Sequence, residues 1–350
     1  MVDWSLARQI ARFAAGGGGS PEVDADFPAL VAEAEGQLRS YTGLEPAGAI
    51  PPPEVVSRAE WADVNLDSLS KLLEPVAKRM SGRLEAAGPL AGALRTVTGA
   101  TLAAESGLVM GYMAQRVLGQ YDVSLLEAEQ QPRLLFVGPN LNKAVRELDV
   151  DRDSFLRWIV LHELTHVLQF SGVPWLRGHL SKLMREYMRT VEVRIERGAA
   201  GGLPSWPDPQ KIVETFREGG LVALVQTREQ RRMMERIQPA MSVIEGYSEH
   251  VMDAVGAKVL PAYAGLRESM ERRRKSRSAP ERILQRLLGL DLKLRQYEEG
   301  KAFCDTVAER GGIAALNRVW EAPESLPTLA ELRDPDAWLA RVERPEPAAA

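Results

Sequence analysis

Cysteine is nearly absent from this chain. Its 350 residues include one, Cys304, which excludes an intrachain disulfide, a cysteine-based zinc finger and an iron–sulfur cluster. Histidine is scarce as well, with four residues. A metal bound here must therefore be held by those few imidazoles and by Asp or Glu. There is no basic excess: 44 Lys and Arg stand against 48 Asp and Glu, a net charge of −4, which argues against a dedicated nucleic-acid binder. Long apolar runs are missing too. The most hydrophobic stretch, Leu90–Leu118, is interrupted by Arg95, Glu105 and Arg116, whereas a spanning helix needs roughly 20 apolar residues. Met1–Gly19 carries Asp3, Arg8 and Arg12 and lacks the apolar centre of a secretory signal. No glycine-rich phosphate loop follows a strand, and no period of roughly 20–50 residues repeats. These absences predict a cytoplasmic protein without nucleic-acid or membrane partners. They leave its oligomeric state open.

What is present is mostly helical pattern. Helices are expected over 3–15, 27–41, 64–84 and 90–118, where Gly107 and Gly111 permit close packing of a buried helix pair. More are expected over 153–170, 180–196, 210–224, 228–257 and 281–297. Residues 45–53, ending in three prolines, read as a connector. Tyr121–Leu125 and Arg133–Val137 are the β-rich segments and suggest a hairpin. The fold class is mainly α (α+β), with a small β-hairpin or sheet near the central helix. The expected organisation is N-terminal helices and a connector over 1–60, and a main domain over 61–325 with a helical insertion at about 180–240. A Pro- and Ala-rich tail follows over 326–350, expected to be disordered in part.

The chemistry concentrates at His162-Glu163-Leu164-Thr165-His166. Asp151 or Asp153 can cap this helix, and Gly172 and Pro174 end it. Val160, Leu164 and Val167 line one side, and Phe155, Trp158 and Ile159 lie with the histidines on the other. A helix apolar on both sides is buried. Residues four apart are about 40° apart around a helix, one turn up, so both imidazoles can reach one ion. Glu163 is about 100° away. It is poorly placed as a ligand and well placed as a general base for a metal-activated water.

Two histidines need a third ligand. The pattern with a third His at position 172 is excluded, because Gly172 stands there and Gln169 stands where that pattern has Gly. Downstream, Glu245, Glu249 and Asp253 recur every four residues on one helical face. His250 sits about 140° from Glu245 and does not share its ion. Glu245-Gly246-Tyr247-Ser248-Glu249 resembles the ligand helix of gluzincin aminopeptidases. That resemblance implies Glu245 as the third ligand and Glu249 as an outer partner orienting an imidazole. The alternative makes Glu249 the ligand with Asp253 behind it. Tyr247, Tyr263 and Tyr297 are candidates to stabilise an oxyanion. Arg133–Val137 is a candidate edge strand for an extended substrate. His179 is expected in a loop or at the surface.

Leu134-Leu135-Phe136-Val137-Gly138-Pro139-Asn140, His162–Phe170, Ile244–Asp253 and Lys293–Lys301 together resemble an uncharacterised bacterial zincin-like family of hydrolases. The resemblance covers most of residues 1–320. It implies a Zn2+-dependent hydrolase acting on a peptide or amide bond, with His162, His166 and Glu245 as ligands and Glu163 as base. Members of that family carry a label linking them to biosynthesis of a deazaflavin coenzyme; no residue here supports a flavin site. Between His166 and Glu245 lie 78 residues, far more than in thermolysin-like enzymes, which implies the helical insertion. The alternatives are a non-catalytic protein with a structural or vestigial zinc site, and a small-molecule amide hydrolase of cofactor metabolism.

Overall fold

The computed structural model describes residues 2–17, 19–85, 91–125, 130–190, 228–275 and 290–343. The helices expected over 210–224 and most of the insertion at about 180–240 lie outside these. Eleven α-helices and three strands are present among the described residues, so the chain is mainly α with a small sheet.

In chain order these are α1 (Trp4–Ala14), α2 (Phe27–Thr42), β1 (Pro53–Val56), α3 (Arg58–Glu85) and α4 (Ala91–Ala114). β2 (Gly119–Asp122), β3 (Arg133–Val137), α5 (Gly138–Leu148), α6 (Arg152–Gly172) and α7 (Leu176–Thr190) follow. The chain continues with α8 (Arg228–Val259), α9 (Tyr263–Lys275), α10 (Leu290–Asn317) and α11 (Pro335–Val342).

The strand order is β1-β3-β2, with β3 parallel to β1 and antiparallel to β2. Two expectations change here. Part of the proline-rich connector is a strand: Pro53 opens β1 opposite Leu134, at an edge where the missing N–H is tolerated. And β3 is the central strand, so among the described residues the sheet edge beside α6 belongs to β2. The continuous apolar run of β3 has a direct cause, since both faces of the strand are covered. Leu134 and Phe136 enter one core with α2, α6, α8 and α10. Leu135 and Val137, on the opposite face, enter a second core with α1, α3 and α4.

The expected helix pair at 90–118 is one helix, α4, and its small-residue stripe meets α1. A Cβ on Gly107 would come within 2.5 Å of Ala7 O, and one on Gly111 within 2.5 Å of Ala14 Cβ. Arg12 of α1 pairs with Asp63 of α3 at 2.7 Å. Elements on either side of residue 60 thus share each core. Among the described residues no helix is long and apolar enough to cross a membrane.

α6 is capped by Asp151, which accepts from Ser154 N at 2.8 Å. It is buried on nearly every side, as a helix apolar around its circumference must be. The C-terminal region is structured through α11. Trp338 is fully buried, stacks edge-on against Phe303 and donates to Ser325 O at 2.7 Å. Residues 344–350 of the expected tail lie outside the described residues.

Candidate metal centre

α6 and α8 cross so that the sequence-distant carboxylate meets the two histidines. Among the described residues, the one cluster able to hold a metal ion is His162, His166 and Glu245, whose ligand atoms lie within 4.8 Å of one another. His166 Nε2 and Glu245 Oε2 are 3.6 Å apart. That is beyond hydrogen-bond range. It fits two tetrahedral ligands of one ion, which at bonds of ~2.0–2.2 Å sit roughly 3.3–3.6 Å apart. The imidazole rings stand perpendicular, with centroids 4.8 Å apart.

The outer partners set how the rings present themselves. Gln169 Nε2 donates to Ile244 O at 2.9 Å, so its Oε1 faces His166 Nδ1 at 2.8 Å. The neutral ring then donates from Nδ1 and keeps its lone pair on Nε2, toward Glu245. Ser248 hydroxyl donates to Glu245 O at 3.0 Å, and its oxygen lies 3.4 Å from His162 Nδ1. Two imidazole nitrogens and one carboxylate oxygen, held in this way, form a donor set that suits zinc.

Glu163 is buried on the same helix, against β2. One carboxylate oxygen accepts the Tyr121 N–H at 3.1 Å. Gly119 makes the room: a Cβ there would lie 2.7 Å from Glu163 Cγ. Burial pushes the Glu163 carboxyl up to about 7, with Glu245 adding to the rise and His166 and the Tyr121 N–H opposing it. A carboxyl in that range exchanges protons near neutral pH.

A model of the zincin-like metallopeptidases matches residues 2–339. The chain belongs to this zincin-like family. A solved structure from Chloroflexus aurantiacus, of a protein provisionally described as a hydrolase with a novel fold, is similar over 99% of this chain and 100% of its own. The two are 32% identical with a TM-score of 0.73. No curated protein matches the chain significantly.

Other expected site residues fall elsewhere in this zincin-like fold. Glu249 is buried, and its carboxylate accepts from Arg267 of α9. Asp253 meets Arg267 at 3.4 Å and Lys301 at 3.0 Å, and accepts from Tyr263. Gln169 and Ser248 also stand against the imidazoles. Tyr247 is fully buried and its hydroxyl donates to Asn317 Oδ1 at 2.8 Å. Its proton is thus committed to holding α8 against the end of α10, and burial raises its pKa further. Tyr263 is likewise committed to Asp253. Tyr297 belongs to α10, but its side chain lies outside the described residues. His250 binds Tyr41 hydroxyl and Asp305 Oδ1, each at 2.8 Å, on the side of α8 away from the ligands. Burial pushes Asp305 up, but hydrogen bonds from His250 and Lys301 outweigh it and hold the carboxyl below its usual range. His179 lies inside α7, edge-on to Trp175, not in a loop.

Gln169, Ser248, Gly119 and the Tyr121 amide were missed from sequence. Gln169 and Ser248 each stand one turn from a ligand, at i+3 from His166 and Glu245, and that spacing was a usable signal.

Proposed function

We propose that this protein is a zinc-dependent hydrolase of peptide or amide bonds. The observation that carries the reading is the convergence of His162, His166 and Glu245 across α6 and α8. Zinc bound there supplies Lewis-acid polarisation of a scissile carbonyl and acidifies a water. Glu163 acts as the general base. The Tyr121 amide fixes one of its oxygens, and the other takes the water's proton and hands it to the leaving amine. His162 and His166 turn their Nε2 atoms toward the ion because Ser248 and Gln169 engage their Nδ1 atoms. β2 runs beside Glu163, and an extended substrate laid along it pairs through backbone groups other than the Tyr121 N–H, which Glu163 holds.

Two predictions follow from the ligand geometry. His162→Ala removes one of three donors, so protein purified without chelator should fall from about one zinc per chain to near none by elemental analysis. Retention of wild-type zinc would show that the ion sits elsewhere. Gln169→Ala leaves His166 in place but removes its orienting acceptor. Zinc affinity, measured by competition with a chromogenic chelator, should fall about 10–100-fold. Gln169→Met, of similar size but without the acceptor, should lose affinity to the same degree. Wild-type affinity in either variant would contradict the orienting role.

A further inference from the structure

The outer face of α7 carries an unbalanced charge. A cavity of about 520 Å3 runs along it, walled by Leu125, Arg177, Lys182, Arg185, Arg189 and a single acid, Glu186. Glu186 already faces Arg236 at 3.3 Å. Arg185 is turned to Ser181 Oγ at 2.7 Å. Lys182 and Arg189 are exposed, and no carboxylate pairs with either among the described residues. Like charges gathered in a concavity repel one another and raise the local concentration of anions. Guanidinium groups there can grip a carboxylate with two parallel hydrogen bonds.

The cavity adjoins the catalytic edge. Arg177, on its wall, donates to Ser124 O at 3.1 Å and Gln130 O at 3.2 Å, which fastens α7 to the connection between β2 and β3. Leu125, also on the wall, follows Tyr121 by four residues. At ~3.3 Å per extended residue that is at most ~13 Å along the chain. Tyr121 is the residue whose amide holds Glu163. A peptide extended along β2 with its scissile bond at Glu163 therefore reaches the cavity three or four residues away.

We propose that this cavity is a substrate subsite for a carboxylate, and that the enzyme prefers acidic peptides. The substrate part of this proposal rests on the hydrolase reading above; the binding part does not. The test uses three fluorescein-labelled octapeptides of otherwise neutral sequence. One carries an internal Glu and an amidated end, one a free C-terminal carboxylate, and one neither. Binding is measured by anisotropy to Glu163→Gln protein, with and without Lys182→Glu and Arg189→Glu. Those two positions are exposed, so metal content and melting temperature should be unchanged by the charge reversals. At least one carboxylate peptide should bind about tenfold or more tighter than the neutral one, and the reversals should abolish that difference. Which of the two gains tells a side-chain carboxylate from a chain terminus. Equal binding of all three, or a preference that survives the reversals, overturns the subsite. A parallel digest of a peptide library by wild-type protein should show Asp or Glu enriched three to four residues from the cut, or cuts at that distance from a free terminus. If no peptide is cut while the binding preference holds, the hydrolase reading fails and the carboxylate site stands.

Discussion

Glu163→Gln should leave zinc content at the wild-type value and reduce hydrolysis of a peptide library by about 10²–10⁴-fold, the range general-base catalysis contributes. The substitution is nearly isosteric. It keeps an oxygen to accept from Tyr121 N–H and the space left by Gly119, so the ligands should not move. It removes only the ability to accept a proton. The same residue makes a second, independent effect measurable in metal-free protein. The carboxyl titrates at about 7 in the fold against 4.5 as its ordinary value. A raised carboxyl favours folding while protonated: its contribution is complete below about pH 4.5 and is lost as pH rises through about 7. At ~1.4 kcal/mol per unit, ionising it in place costs up to about 3 kcal/mol. Metal-free Glu163→Gln protein should therefore be more stable than metal-free wild type above pH 7, and the two should converge in acid. Denaturant titrations across pH 4–8 would show this; parallel curves would mean that Glu163 is not desolvated as described.

The second large effect concerns the crossing of α8 and α10. A Cβ on Gly246 would lie 2.2 Å from Gly300 C, and one on Gly300 would lie 2.0 Å from Ser242 O. The obstructing atoms are backbone, so no side chain can swing aside. Gly246→Ala or Gly300→Ala must drive the two helices apart, at about 1–3 kcal/mol or more for overpacking. The loss extends to the metal, because Glu245 precedes Gly246 on the displaced helix. Both variants should melt earlier and bind zinc more weakly, although neither removes a ligand. Gly265→Ala is the control. No atom lies within 4 Å of a Cβ there, and in helix α9 the change should stabilise by about 0.4–1 kcal/mol. Similar behaviour of Gly246→Ala and Gly265→Ala would refute the backbone contact.

The site was legible in sequence where it depends on local helical period. His162, Glu163 and His166 lie within about one turn, so their relative directions follow from 3.6 residues per turn. Glu245 was legible through the Glu-Gly-Tyr-Ser pattern. The crossing supplies a physical reason for Gly246 and Gly300, two glycines of the segments that carried the family resemblance. Along the acidic stripe, a shared face brings different neighbours to successive carboxylates. Past Glu245 that face turns from α6 toward α9 and α10, where Arg267 and Lys301 arrive from other elements and claim Glu249 and Asp253. The Tyr247 partner was unreadable for a related reason, since Asn317 lies 70 residues on. β1 was unreadable because Pro-Glu-Val-Val is too short to alternate, and its pairing partner is β3, distant in sequence. His179 was misassigned because the break at Gly172–Pro174 looked like a long exit from helix, whereas α7 starts at Leu176.

The central claim is that one metal ion sits between α6 and α8 on His162, His166 and Glu245. The most direct measurement is elemental analysis of protein purified without chelator, on wild type and on His166→Ala, Glu245→Ala and Glu249→Gln. The account predicts about one zinc per chain in the wild type and in Glu249→Gln, and near none in the other two. Metal absent from the wild type, or lost with Glu249 and kept without Glu245, would contradict it.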